Sequence, residues 1–297
     1  VCGLEAMTAC PEALTCGPDG ACHEPCAEGG DDCQGDRVCL GGACVEPVAA
    51  GSCHELLEAF PLLQDGTYEI YAGDPPSAVE VHCDMTSEGG GWTRVVDFDV
   101  TTDPCPGEWQ PHEDPLLCIS DTPWEGGFRS ALFSSPQGAY GEVRGYVHGI
   151  QYFSTDAFGA VSEGATIEDA YVDGVSITHG SSPRHHVWTY ASGLRDGPRD
   201  HQVCPCSGGT EVPEWVGTDY YCDTGNLGDW EGVWYVDDPL WDEDNVDPLC
   251  PDPGVSPLWF VKAFDAPTAE DLEVRIGTDQ SHSDEDVGVD RMELYVR

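Results

Sequence analysis

The sequence predicts an α+β fold in two parts: a small disulfide-rich module at residues 1–48 and, after a linker at 49–52, a large globule at 53–297. Eight cysteines fall in the first 48 residues, among Gly, Pro, Asp and Glu that offer almost nothing for a core. A short segment of helical spacing follows at Cys53, and strand-like segments come after it. Turn-formers, aromatics and acids fill residues 193–257. We therefore expect few short helices, mixed or antiparallel sheets and long irregular loops.

The eight cysteines of the module form an internal repeat. The spacing Cys-x5-Cys-x5-Cys from Cys10 corresponds to Cys-x5-Cys-x4-Cys from Cys33, and each run ends in Gly-Ala-Cys. Zinc is the competing explanation for so many thiols, but the module has no Cys-x2-Cys pair. We prefer four disulfides, whose connectivity the sequence leaves open. The module is expected to act as a stalk or spacer.

The other eight cysteines all lie beyond the linker, so each part of the chain can close its own bridges. Cys105 and Cys118 would close a local loop. The last four are expected to form two bridges within one irregular region; they are Cys204, Cys206, Cys222 and Cys250.

The globule opens with an amphipathic helix. Ser52-Cys53 begins it, Leu56, Leu57 and Phe60 share its apolar face, and Pro61 stops it. A second short helix is predicted over Gly127–Phe133. Strands are predicted at Thr67–Tyr71, Val79–Cys83, Thr93–Asp99, Val143–Val147, Ile167–Val172, His185–Tyr190, Trp259–Phe264, Leu272–Ile276 and Met292–Val296.

The chain is strongly acidic, with 56 Asp and Glu against 11 Lys and Arg and a formal net charge of -45. Such a surface repels nucleic-acid phosphates and anionic membranes, and it suits bound cations. No apolar run is long enough for membrane insertion. The 16 cysteines favour an oxidising compartment, so we expect a secreted, extracellular protein processed before Val1.

Several features from Ser52 onwards occur in a recognisable order: Ser-Cys, a short helix, Asp65-Gly-x-Tyr68, Cys83-Asp-Met and Gly-Gly-Gly-Trp92-Thr. This order resembles the start of a fibrinogen C-terminal-like domain, a family that includes ficolins, tenascin knobs and, more distantly, intelectins. The resemblance covers roughly Cys53 to Arg297. It implies a Cys53–Cys83 bridge and a calcium-binding globule that recognises its partner without catalysis.

Two acidic segments predict calcium sites, because Ca²⁺ takes six to eight oxygen ligands in flexible geometry. The candidate metal ligands of the first segment, 237–247, are Asp237, Asp238, Asp242, Asp244 and Asp247. Those of the second, 277–286, are Asp279, Asp284 and Asp286. The first resembles in position the acidic calcium loop of fibrinogen-like domains. In intelectins, calcium in the corresponding half of the fold grips a sugar diol directly.

Aromatic rings near these segments are candidates for sugar contact, since sugar C–H faces stack on them. The predicted ligand-binding residues are Trp230, Trp234, Tyr235, His282 and Glu285. Packing is the competing explanation for many of the other aromatics, such as Trp259 beside Phe260.

An enzyme is not predicted. The sequence has no Gly-x-Ser-x-Gly motif, and paired carboxylates are too abundant to indicate a glycosidase. A zinc hydrolase would need three convergent ligands, and the histidines near one another in sequence are His179, His185, His186 and His201. His185 and His186 are adjacent on a predicted strand and should point to opposite faces, so these two cannot easily share a metal.

The sequence thus predicts a secreted, calcium-dependent lectin that binds glycans. The alternative is a structural or adhesive extracellular protein, a fibre or matrix subunit, whose globule binds cell-surface or extracellular proteins or its own copies as a homo-oligomer. Calcium-dependent glycan binding distinguishes the first function from the second.

Overall fold

The computed structural model describes residues 2, 10–27, 32–113, 116–120, 127–151, 167–168, 174–192, 212–223, 238–239, 259–278 and 287–297. Over these residues the chain forms 18 strands, one α-helix, α1 (Cys53–Ala59), and a three-residue 3₁₀ turn at Ser87–Gly89. The predicted α+β class is therefore wrong, because the fold is β-rich. No helix in the described part of the chain is long and apolar enough to cross a membrane.

The helix predicted at Cys53 is present and begins at a side-chain cap. The Ser52 hydroxyl accepts a hydrogen bond from the Glu55 N–H at 3.2 Å. Such a cap satisfies one of the N–H groups that a helix start leaves without an internal partner. Leu56 is buried, and the helix ends before Phe60.

The second predicted helix is instead strand β10 (Gly127–Phe133). It pairs antiparallel over its full length with β17 (Leu272–Thr278), from Gly127 opposite Thr278 to Phe133 opposite Leu272. Ala131 is 1% exposed and Leu132 65%, the alternation of a strand. A seven-residue helix is marginal by itself, whereas pairing with β17 gives its backbone groups partners. That partner lies far along the chain, so local spacing misled the prediction.

The chain divides into two compact units, and the first comprises residues 1–94, 136–140 and 295–297. Its strands are β1 (Thr15–Cys16), β2 (Cys22–His23), β3 (Val38–Leu40), β4 (Ala43–Val45), β5 (Gly66–Ala72), β6 (Ser77–Asp84) and the start of β7 (Trp92–Asp99). All pair antiparallel, β1 with β2, β3 with β4, β5 with β6, and β6 with β7.

The cysteine-rich module folds as two repeats with the same disulfide order, first to third and second to fourth. Repeat 1 (residues 2–23) contains Cys2–Cys16 and Cys10–Cys22. Repeat 2 (residues 26–45) contains Cys26–Cys39 and Cys33–Cys44. The four disulfides are thus confirmed, and each repeat begins one cysteine before the pattern visible in the sequence.

A hydrophobic cluster of the first unit joins α1, β5 and β6 to repeat 2. It contains Ala43, Val45, Ala50, Cys53, Leu56, Phe60, Leu63, Ile70, Ala72, Val81, Cys83 and Met85. The Cys53–Cys83 bridge crosses this cluster, as the family resemblance implies. Trp92 is fully buried, and Arg297 lies over its ring at 4.2 Å.

The second unit comprises residues 95–135 and 141–294. Its further strands are β8 (Gln110–Glu113), β9 (Leu116–Ile119), β11 (Tyr140–Gln151), β12 (Gly174–His179), β13 (His185–Ser192), β14 (Tyr220–Asp223), β15 (Asp238–Pro239), β16 (Phe260–Thr268) and β18 (Val287–Val296). A five-stranded sheet has the order β10-β17-β12-β13-β14. Another sheet places β15, β11, β18 and β7 side by side, with β16 on β11 and β9 on both β8 and β18.

Most predicted strands of this unit are confirmed, including β11, β13, β16, β17 and β18. The Cys105–Cys118 bridge is also present. Strand β12 was missed by the sequence analysis. Ile167 and Glu168 form a turn, and the rest of the strand predicted over Ile167–Val172 lies outside the described residues, as do Cys204, Cys206 and Cys250.

Candidate functional site

The predicted calcium and sugar ligands fall almost entirely outside the described residues. This applies to Asp237, Asp242, Asp244, Asp247, Asp279, Asp284, Asp286, Trp230, Trp234, Tyr235, His282 and Glu285. Asp238 is described through its backbone, as the first residue of β15. The structure does describe the strands from which both acidic segments leave.

Asp238 of the first segment and the strand that follows the second segment, β18, lie at one end of one sheet, whereas the second segment begins at β17 of the five-stranded sheet. In the first segment, Asp238 pairs with Gln151 at the end of β11. The second segment ends where β18 begins, and Gly288 there lies against Gly149 of β11. The contact is so close that a Cβ on Gly149 would be 1.9 Å from the Gly288 carbonyl oxygen. Since neighbouring strands are about 4.8 Å apart, β15 and the start of β18 are about 10 Å apart across β11.

Described carboxylates add negative charge near the start of β18. Asp290 accepts a hydrogen bond from His148 Nδ1 at 2.6 Å, and its backbone carbonyl accepts one from Val100 at 2.9 Å. Val100 follows Asp99, whose carboxylate accepts hydrogen bonds from the Thr101 hydroxyl and N–H. These bonds lower the pKa of Asp99, so its charge is retained. This end of the sheet therefore carries carboxylates in addition to those of the two acidic segments.

The histidines are arranged differently from the zinc site considered from sequence. His186 and His185 have different neighbours in β13, and His201 lies outside the described residues. His186 Nε2 lies 2.8 Å from the Thr189 hydroxyl, and its ring packs on Trp215. Burial lowers the pKa of His186 to about 4, so the ring is a neutral packing group at physiological pH.

His179 and His185, by contrast, face each other across the β12–β13 hairpin, where they are register partners. Their rings stack with centroids 4.9 Å apart. The sequence analysis missed this pair. The Gly180-Ser-Ser-Pro183 turn between the two residues is the signal that would have placed them opposite each other.

A buried ionic network on the five-stranded sheet was also missed. Glu273 accepts hydrogen bonds from Arg275 Nε at 2.9 Å, Arg184 Nε at 2.6 Å and the Ser130 hydroxyl at 2.6 Å. Burial alone would raise the pKa of Glu273, but these hydrogen bonds lower it. Arg184 also pairs with Glu168 at 2.8 Å. Because the charges pair with one another, the network ties β10, β17 and the turn at Glu168 together as a structural element.

The aromatic residues around Trp259 and Phe260 pack against one another and against neighbouring side chains. Trp259 meets Tyr146 edge-on at 4.6 Å and lies under the Arg144 guanidinium at 4.0 Å. Phe260 stacks on Trp188 at 4.6 Å. These rings serve the core, in keeping with the packing explanation for Trp259 beside Phe260.

The cysteine sulfurs of each repeat cluster closely enough to suggest a metal site by distance alone, as in Cys2, Cys10 and Cys22. All are in disulfides, however, and a zinc ligand must be a thiolate. The clusters arise because the two bridges of each repeat lie against each other.

A groove of about 610 Å³ lies in the first unit, between the two repeats and residues 62–68. Asp65, on its wall, accepts hydrogen bonds from the Met85 N–H at 2.7 Å and from the Thr86 hydroxyl. Its carboxylate thus holds the chain after β6, and we assign no ligand to the groove.

No known protein-family model matches this chain, and no curated protein matches it significantly.

Proposed function

We propose that this protein is an exported, calcium-dependent lectin, in which Ca²⁺ held by the acidic segments grips a glycan. The observation that carries the proposal is that β15, which contains Asp238 of the first segment, and the start of β18, which the second segment precedes, both lie beside the end of β11. Each segment concentrates oxygen ligands in its sequence, and strands next to both segments lie at the same end of β11. A bound cation would relieve their mutual repulsion.

Two further observations support it. Twelve of the described cysteines are paired in six disulfides, which is consistent with an extracellular protein. The Cys53–Cys83 bridge is the one implied by the resemblance to fibrinogen C-terminal-like domains. In the proposal, Asp242 and Asp244 are calcium ligands and Trp230 and Trp234 present the apolar face to the sugar.

The test compares glycan-array binding and thermal unfolding in millimolar calcium and in excess chelator. Calcium at about 100 times its Kd should add about 2.7 kcal/mol to the free energy of unfolding. Replacing both Asp242→Asn and Asp244→Asn should abolish glycan binding and most of this calcium shift. Trp234→Ala should weaken glycan binding and leave the calcium shift intact.

The matched control replaces two exposed carboxylates in the same way, Asp74→Asn and Asp265→Asn, and should change neither readout. If a broad array in calcium shows no glycan bound by the natural chain, the lectin proposal fails. Concentration-dependent filaments or stable oligomers would then favour the adhesive alternative.

A further inference from the structure

The paired histidines at the end of the β12–β13 hairpin stand beside a carboxylate. His179 and His185 stack with an interplanar angle of 23°, and Glu270 Oε2 lies 3.0 Å from His179 Nδ1. His179 is the more enclosed ring, with 12% of its side chain exposed, and Phe264 packs on it at 4.7 Å. His185 is exposed. The arrangement therefore has one enclosed imidazole, held by Glu270 and Phe264, and one exposed imidazole.

The backbone of the turn is shaped to admit this carboxylate. Gly180 has a φ of +77°, and a Cβ at that position would lie 2.7 Å from Glu270 Oε2. Glu270 also accepts a hydrogen bond from the Thr268 hydroxyl at 3.3 Å. The Glu270 carboxylate therefore passes directly over the turn to reach His179. A side chain at Gly180 would occupy the position of this carboxylate and displace it.

The hydrogen bond to Glu270 decides which His179 nitrogen is available. With the carboxylate as acceptor, Nδ1 carries the proton and donates, which leaves the Nε2 lone pair for a ligand. Histidines that bind metals commonly have this arrangement, in which a carboxylate fixes the tautomer and ring orientation and raises the basicity of the ligating nitrogen.

We propose that His179 and His185 bind a divalent transition-metal ion of the kind that prefers imidazole, Zn²⁺, Cu²⁺ or Ni²⁺, with Glu270 as the positioning residue. Imidazole suits these ions, whereas carboxylates and carbonyls suit Ca²⁺. Metal–nitrogen bonds of about 2.0–2.1 Å require the two donor nitrogens to converge. The exposed His185 ring can tilt to achieve this, and water would complete the coordination.

Other histidines of the described chain offer a contrast. His148 pairs with Asp290 at 2.6 Å and His23 with Asp19 at 2.9 Å, each a carboxylate–imidazole pair. Neither has a second imidazole stacked on it among the described residues. His148 is therefore a matched control, because it has a carboxylate partner, as His179 does, but no second imidazole stacked on it among the described residues. The proposal is independent of the lectin proposal, because nitrogen and oxygen ligands are spectroscopically distinct.

The test is electron paramagnetic resonance of the full chain with one equivalent of Cu²⁺, in millimolar calcium to occupy oxygen sites, at neutral pH. The natural chain should show nitrogen hyperfine coupling from two imidazoles. His185→Gln and His179→Gln should each reduce this to at most one nitrogen. Glu270→Gln should keep both nitrogens and weaken Cu²⁺ affinity by about 10-fold or more. His148→Gln should match the natural chain.

Thermal unfolding of each variant establishes that it folds, and Zn²⁺ titration by calorimetry gives the affinity without relying on copper. Oxygen-only coordination in the natural chain would overturn the proposal. So would an equal loss of nitrogen coupling in His148→Gln and His185→Gln, or an unchanged spectrum in a folded His185→Gln. Loss of glycan binding with the metal site intact would overturn only the lectin proposal.

Discussion

The two cysteine repeats share a disulfide order and a local sequence but differ in burial. Repeat 1 ends in Gly20-Ala-Cys-His23-Glu-Pro and repeat 2 in Gly42-Ala-Cys-Val45-Glu-Pro. In repeat 2 all three residues of β4 are buried, and Ala43 and Val45 belong to the cluster around α1. In repeat 1 the corresponding Ala21 and Cys22 are exposed, and His23 hydrogen-bonds to Asp19 at 2.9 Å. Two disulfides are therefore enough to close each repeat. At the one position where the two sequences differ, repeat 2 has Val45, which belongs to the cluster, and repeat 1 has His23, which does not.

Repeat 1 is attached through backbone hydrogen bonds and through Pro18, which is buried beside Gly41 of repeat 2. The Cys44 N–H donates to the Glu24 carbonyl at 2.9 Å, at the junction of the repeats, and the Leu62 N–H donates to the Pro18 carbonyl at 2.8 Å. Such hydrogen bonds contribute about 1 kcal/mol each, whereas full burial of a valine contributes about 1.5–3 kcal/mol. Repeat 2 should therefore be coupled more strongly to the stability of the first unit.

The largest effect is expected from removing one disulfide from each repeat in turn. The bridges Cys33–Cys44 and Cys10–Cys22 span 11 and 12 residues, so loop closure alone predicts similar losses of about 3 kcal/mol. Because Cys44 is buried and its strand packs in the core, replacing Cys33 and Cys44 by serine should lower the main unfolding transition. Replacing Cys10 and Cys22 should leave it nearly unchanged. Calorimetric unfolding of both variants measures this, and equal losses would contradict it.

A smaller effect is expected from exchanging the side chains that distinguish the repeats. Val45→His places an imidazole where valine is 1% exposed, and burying a polar ring without a partner should cost about 2–3 kcal/mol. His23→Val loses only a partly exposed pair with Asp19 and should cost about 0.5 kcal/mol. Urea unfolding followed by circular dichroism separates the two. A His23→Val variant as unstable as Val45→His would mean that repeat 1 also supports the core.

The smallest effect concerns the glutamates of the matched Glu-Pro pairs. Glu24 forms an ion pair with Arg37 at 2.6 Å, with about half of its side chain exposed, and Glu46 is exposed. Glu24→Gln should cost about 0.5 kcal/mol at low ionic strength and less at high salt. Glu46→Gln is the control and should cost less. A salt-independent loss in Glu24→Gln would show that the ion pair is not its cause.

The candidate site shows where prediction from sequence stops. The two acidic segments are visible as composition, and the ligand chemistry follows from it. The closeness of the strands beside them depends on which strands pair, over separations of more than a hundred residues in the case of Gly149 and Gly288. The same holds for Glu270, which reaches His179 from 91 residues away. Short-range patterns contain no information about such contacts.

The sequence by itself determined the features that depend on neighbouring residues. Ser52 and the spacing of Leu56 and Phe60 specify α1, and eight cysteines in a segment without a core specify a disulfide module. Tertiary structure decided the rest. Residues 127–133 are a strand because β17 supplies partners for their backbone groups, and Val45 is a core residue because α1 and β5 surround it. Backbone hydrogen bonds and apolar burial both require a partner, and that partner is brought close only when the chain folds.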